Sequence, residues 1–230
     1  MKTIITLFTL VISLASYAQE ITFEGKQFEL KHVKGSIVKM DGQDVLKLER
    51  DLNSLPFDLE HLEKTVDEPT YAKLKGMELE NGTIEVKLLS RIQDPSPFKA
   101  SQGFIGLAFR VKRDDGAFES IYLRPKVGRS EDQFSRNHTV QYYSYPDFKF
   151  DVLRQEAAGR YETYADVGLD EWITLKIEVQ GSSAKLYINN QEHPSFIVQD
   201  MKGKLGAGAI ALWVDIGTEG YFKDLNISKN

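Results

Sequence analysis

Residues 172–180 read WITLKIEVQ, and this stretch decides the fold class. Ile173, Leu175, Ile177 and Val179 fall on one side; Thr174, Lys176, Glu178 and Gln180 fall on the other. A period of two with one apolar face describes a strand packed on a core and wetted behind. Gly181-Ser182-Ser183 turns the chain into 184–189 (AKLYIN), and Asn189-Asn190 turns it again. Further out, 104–111 (FIGLAFRV) gathers Ile105, Leu107, Phe109 and Val111, with the small Gly106 and Ala108 on the opposite face. Small residues there let a backbone or a ligand come close to the sheet.

The same alternation predicts strands over 21–30, 36–39, 44–49, 83–89, 119–124, 139–143, 161–167, 209–216 and 221–228, with Asn81-Gly82 as a tight turn. Only 59–65 and 71–74 have helical spacing, and Pro56 and Pro69 limit both. Many short strands with frequent turns predict an all-β sandwich or jelly roll of two antiparallel sheets. No linker, repeat or low-complexity tract interrupts it, so 19–230 reads as one domain.

Residues 1–18 read as a targeting segment. Lys2 precedes an apolar run from Ile4 to Leu14, and Ser16-Tyr17-Ala18 suits a small-x-small cleavage site before Gln19. The run is shorter than the roughly 20 residues a spanning helix needs. Export to the periplasm or beyond is therefore expected, with no membrane insertion. The net charge is −5 and there is no cysteine. An acidic domain is a poor partner for nucleic acid or an anionic membrane. Stability without disulfides has to come from core burial.

The central third holds the polar chemistry. Residues 118–145 read FESIYLRPKVGRSEDQFSRNHTVQYYSY. On a strand over 119–124, Ile121 and Leu123 face the core, leaving Tyr122 and Arg124 on the other face; Pro125 ends the strand. Residues 126–138 read as a polar loop hinged at Gly128, with Arg129, Asp132, Arg136 and His138 in it or at its exit. Beyond it, His138 and Tyr142 share one face, and Gln141 and Tyr143 share the other; the sequence does not say which lines a groove. An Arg–Asp pair in such a loop, Arg129 with Asp132, is more often a structural tie than chemistry. Six of the ten tyrosines (122, 142, 143, 145, 161 and 164) fall between 118 and 165, which favours an aromatic platform. Arg154 and Arg160 extend the basic character. Trp213 lies on the face away from Ile210, Leu212 and Val214, as a stacking surface or as core. No cofactor is expected. The one metal cue is Asp215 and Glu219 flanking Gly217, whose oxygens suit a calcium ion.

From Trp172 onward the order Glu-Trp, LKIEVQG, AKLYINN, GAIALW, GTEGYFKDLNI resembles the concanavalin A-like lectin/glucanase superfamily. Within it the chain looks most like laminin-G-like and 3-keto-disaccharide hydrolase-like domains of exported bacterial proteins. The resemblance implies a jelly roll with sugar on the concave face or its rim. The Glu-x-Asp-x-Glu strand of the family 16-like glucanases is absent, so a retaining glucanase of that type is disfavoured.

The expected partner is therefore an oligo- or polysaccharide. Tyr122, Arg124, Arg129, Arg136, Gln141, Tyr142 and Trp213 are the candidate binding residues. If a glycoside is hydrolysed, His138, Asp132 and Glu119 are the candidate catalytic groups. The alternatives are a polysaccharide lyase acting on uronates, in which Arg or Gln neutralises the carboxylate, and a non-catalytic adhesion module.

Overall fold

The computed structural model describes residues 19–204 and 206–230; the expected targeting segment, 1–18, lies outside the described residues. One sheet has eight antiparallel strands: β1 (Glu20–Phe23), β2 (Lys26–Lys31), β5 (Tyr71–Leu79), β14 (Gly208–Val214), β7 (Ile105–Val111), β8 (Phe118–Leu123), β9 (Val140–Tyr145) and β10 (Glu162–Thr163), in that spatial order. The other has seven: β13 (Phe196–Val198), β12 (Ser183–Ile188), β11 (Ile173–Gln180), β6 (Gly82–Ile92), β15 (Thr218–Lys229), β4 (Gln43–Arg50) and β3 (Val33–Met40). Three short helices, α1 (Leu62–Thr65), α2 (Gln133–Asn137) and α3 (Phe150–Glu156), lie in the connections.

The alternation in β11 is observed as read: Ile173, Leu175, Ile177 and Val179 are buried, and the residues between them are not. Three expectations change. Residues 71–74 are not helical but begin β5, where the first four side chains are buried, so both faces of the strand are covered. The expected strand over 21–30 is a hairpin, broken where Glu24 and Gly25 both take positive φ. The expected strand over 161–167 shrinks to two residues. Inside the loop predicted for 126–138, Asp132 caps α2 by accepting Ser135 N–H.

Register across the eight-stranded sheet positions everything that follows. One cross-strand row runs Lys31, Tyr71, Trp213, Gly106, Tyr122, Gln141, Glu162. The next row, Val214, Ile105, Leu123 and Val140, packs toward the other sheet, where Ile105 lies over bare Gly220 of β15. Because strand side chains alternate, the Trp213–Tyr122 row faces away from the second sheet. That face is not open. Segment 51–70 covers it, held by Trp213 Nε1 donating to the Glu68 carbonyl at 2.9 Å and by Arg50 donating to the carbonyls of Leu55, Pro56 and Thr65.

Gly106 is the gap in the row. A Cβ there would stand 2.5 Å from the Tyr122 Cα, and over that gap the Tyr122 and Trp213 rings meet with centroids 4.9 Å apart. The small residue makes room for its neighbours' rings. Gly106→Ala is expected to destabilise the fold by about 1–3 kcal/mol through overpacking. Urea unfolding measures this, and a change below about 0.5 kcal/mol, the usual range for an innocuous surface change, would show that the crowding is relieved elsewhere.

Candidate functional site

At the Tyr122 end of the row the cover leaves a cavity of about 290 Å³. Its apolar lining includes Phe98, Phe104, Phe134 and Phe150; its polar lining is Asp67, Gln102, Tyr122, Arg124, Ser135, His138, Arg154 and Asp215. Among the described residues, the groups expected to meet are only partly brought together.

Tyr122, Arg124 and His138 line the cavity, with Gln141 directly behind. Arg124, only 5% exposed, leaves β8 as Pro125 stops the strand, and its guanidinium organises the wall. It donates to the Tyr122 hydroxyl at 2.6 Å, to Gln141 Oε1 at 3.2 Å and to the His138 carbonyl at 2.7 Å. It also lies 3.8 Å from Glu162, a carboxylate buried at the end of the row. Arg154, from α3, pairs with the same carboxylate. Phe150 lies between the two guanidiniums, 5.8 Å from that of Arg124 and 5.1 Å from that of Arg154. Arg154 therefore lines the same cavity.

His138 enters by a route the alternation did not foresee. It is not on β9 but is the residue that caps the end of α2, so it escapes the strand's two faces and turns into the cavity. Its Nδ1 lies 2.6 Å from Glu162 Oε2, off the line that a hydrogen bond needs, and its Nε2 has no partner. Burial, more than any other influence, holds its pKa below the usual histidine value; Glu162 pulls the other way.

The remaining candidates lie elsewhere. Tyr142 and Glu119 are on the opposite face of the sheet, where the Tyr142 hydroxyl donates to Glu119 at 2.5 Å and Gly203 N–H donates at 2.9 Å. Burial pushes the Glu119 carboxyl up. Asp132 is committed to its helix cap, with Ser135 N–H and Oγ both donating to Oδ2. Arg129 is exposed and clamped by Asp166 and Glu171. Arg136 lies over Tyr164 and donates to its hydroxyl. Trp213 is fully buried beneath the cover. The tyrosines thus form no single platform, because the period of two sends Tyr142 and Tyr143 to opposite faces.

Asp67 is the residue that sequence reading missed. It is 2% exposed, takes a left-handed backbone (φ +55°) and lines the cavity. Its Oδ2 accepts Phe150 N–H at 3.0 Å at the start of α3. Burial, with help from the negative Asp215 nearby, pushes its pKa up to about 7, against the opposing pull of Arg124 and Lys149. Nothing local in Val-Asp-Glu-Pro signals this, since the surroundings come from β14, β8 and α3.

Asp215 forms a buried pair with Arg50 at 2.7 Å and also accepts Ile216 N–H and Asp67 N–H. Glu219 is held by Lys47 and the Tyr221 hydroxyl. With their oxygens engaged by these donors, the two do not fit a calcium ion. Among the described residues no group of three or more His, Asp or Glu side chains is arranged to hold a metal. None of their helices is long and apolar enough to cross a membrane.

No protein-family profile matches this chain, and no curated protein matches it by sequence. Solved structures do match by shape. A carbohydrate-binding module of Bacillus subtilis, CBM66, superposes with a TM-score of 0.54 at 12% identity, covering 87% of this chain and 97% of the module. A Bacillus licheniformis beta-glucanase gives 0.49 at 13% identity, covering 91% of this chain and 95% of the enzyme. At such identities the likeness speaks for the architecture alone. Taken with the two antiparallel sheets and their strand order, it makes the chain a concanavalin A-like jelly-roll sandwich.

Proposed function

We propose that this protein binds a saccharide, and that the cavity under segment 51–70 takes an uncharged sugar ring. The observation that carries the reading is the lining itself. Four phenylalanines offer apolar faces while Arg124, Gln102, Asp67 and His138 offer donors and acceptors within the same small space. That division suits a sugar, which has hydrogen-bonding edges and apolar C–H faces. The volume is at the lower end for ligand pockets, the size of one ring or the end of a short chain. The shape likeness to a carbohydrate-binding module supports the same class of ligand.

Guanidinium engagement, rather than charge count, favours a neutral sugar over a uronate. Arg124 and Arg154 share the single carboxylate of Glu162, but their donors are directed at it and at the Tyr122 hydroxyl, Gln141 and the His138 carbonyl, and Arg50 behind them is paired with Asp215. A lyase acting on uronates needs a cation with donors free to meet the substrate carboxylate, so the geometry supports that alternative less well. An adhesion module needs exposed contact area, whereas the polar groups here converge inside a hollow.

Calorimetry against neutral and uronate oligosaccharides tests the reading. Gln102→Ala removes a half-buried amide with no partner among the described residues, and should weaken binding by about 2–10-fold, the worth of one hydrogen bond. Arg124→Ala should abolish binding. Tighter binding of uronates than of neutral sugars, or unchanged affinity in both variants, would defeat the proposal.

The proton on Asp67 is testable through stability. Its folded pKa is raised to about 7, above the unfolded value near 4. Between these values the unfolded chain sheds a proton that the folded chain keeps, so stability falls as pH rises through that window. Asp67→Asn removes this loss. Relative to the parent, it should gain stability steadily from pH 4 to pH 7, by a total on the order of 4 kcal/mol, in urea titrations. A pH-independent difference would mean that Asp67 is ionised throughout.

A further inference from the structure

Two titratable side chains line this cavity with proton preferences pushed apart. Asp67 is held in its protonated form up to near neutral pH, while His138 is held in its neutral form. An acid that keeps its proton in the same cavity as a base that stays free is the arrangement from which acid and base roles are read. Each also has an atom left free. Asp67 has only Oδ2 engaged by a donor among the described residues, and His138 Nε2 has no partner while Nδ1 is set against Glu162.

We propose that the cavity hydrolyses the glycosidic bond of the saccharide it binds, with Asp67 as proton donor to the departing oxygen and His138, backed by Glu162, as the base that activates water. This assignment rests on the saccharide reading above. In the step, His138 Nε2 takes a proton from water as the water oxygen bonds to the anomeric carbon. The carbon–oxygen bond to the leaving sugar breaks, and its electron pair takes the Asp67 proton. Proton return from the imidazolium to Asp67 through solvent resets the site, and the net change is addition of one water. Because water displaces the leaving group directly, the anomeric centre is inverted. Arg124, bonded to the Tyr122 hydroxyl and to the His138 carbonyl, is a positioning residue for both walls. Phe134 sets its ring edge-on to His138 with centroids 4.4 Å apart. Being 68% exposed, it is a shield that an entering sugar can turn aside.

The charged groups around the pair fix its pH response. Asp67 is faced by Asp215, Arg124 and Lys149, and His138 by Glu162, Arg154 and Arg124. Activity should fall above about pH 7 as Asp67 ionises and fall again in acid as His138 is protonated. The test takes oligosaccharides that calorimetry shows to bind and follows reducing ends and product anomer by NMR. Asp67→Asn and His138→Gln are each expected to lose 100-fold or more in turnover, the usual worth of an acid or base, while binding weakens by no more than about 10-fold, the worth of one hydrogen bond. Retained binding also certifies that each variant has folded. Should either fail to fold, the two-limbed pH profile of the parent decides. Binding without any cleavage, cleavage with retained anomer, or full activity in either variant overturns hydrolysis and leaves the binding reading standing. Failure of every saccharide to bind overturns both.

Discussion

Glu162 is a carboxylate with a side chain 3% exposed, and a buried charge of that kind has to be matched from more than one side. Arg124 comes from the end of β8, Arg154 from α3, and His138 from the cap of α2. Their convergence on one two-residue strand fixes where the loops beyond β8 and β9 return to the sheet. Breaking such a buried set by removing one partner typically costs about 3–5 kcal/mol, because the remaining charge stays buried. The cavity wall is the near side of this cluster.

A second buried pair, Arg50 with Asp215, does the same for the opposite wall. Its guanidinium also gathers three backbone carbonyls of segment 51–70, so one arginine both neutralises the Asp215 carboxylate just after β14 and fastens the cover over Trp213. Asp67 lies between the two charge clusters and inherits the burial of both. Its carboxyl has Phe150 N–H for company but no dedicated cation within hydrogen-bonding distance, and desolvation prevails. His138, half-buried, has no aligned hydrogen-bond partner at either ring nitrogen. The site is therefore tied at its edges by buried ion pairs and holds within it two side chains whose proton affinities are shifted.

Much of the architecture was legible because strand alternation is local. The buried set of β11 and the core face of β7 follow from period-two spacing, as does the assignment of Tyr122 and Arg124 to the face away from Ile121 and Leu123. Where both faces of a strand are covered, alternation loses its contrast, and 71–74 at the start of β5 were read as helix for that reason. His138 was assigned to the wrong face because the short helix before it shifted the start of the strand. Asp132 as a helix cap carries a recognisable local pattern, Asp followed three residues later by Ser, that competes with any catalytic reading.

The sequence by itself determined an all-β chain whose polar and aromatic residues gather near β8 and β9, since composition and spacing act within a few residues. Tertiary structure alone decided which of those groups meet. Asp67, Phe98, Phe150 and Asp215 are brought to Arg124 from distant parts of the chain by sheet register and by the fold of segment 51–70. Proton affinity was decided at the same level, because it depends on desolvation and on charges that become neighbours only when the sheet is assembled.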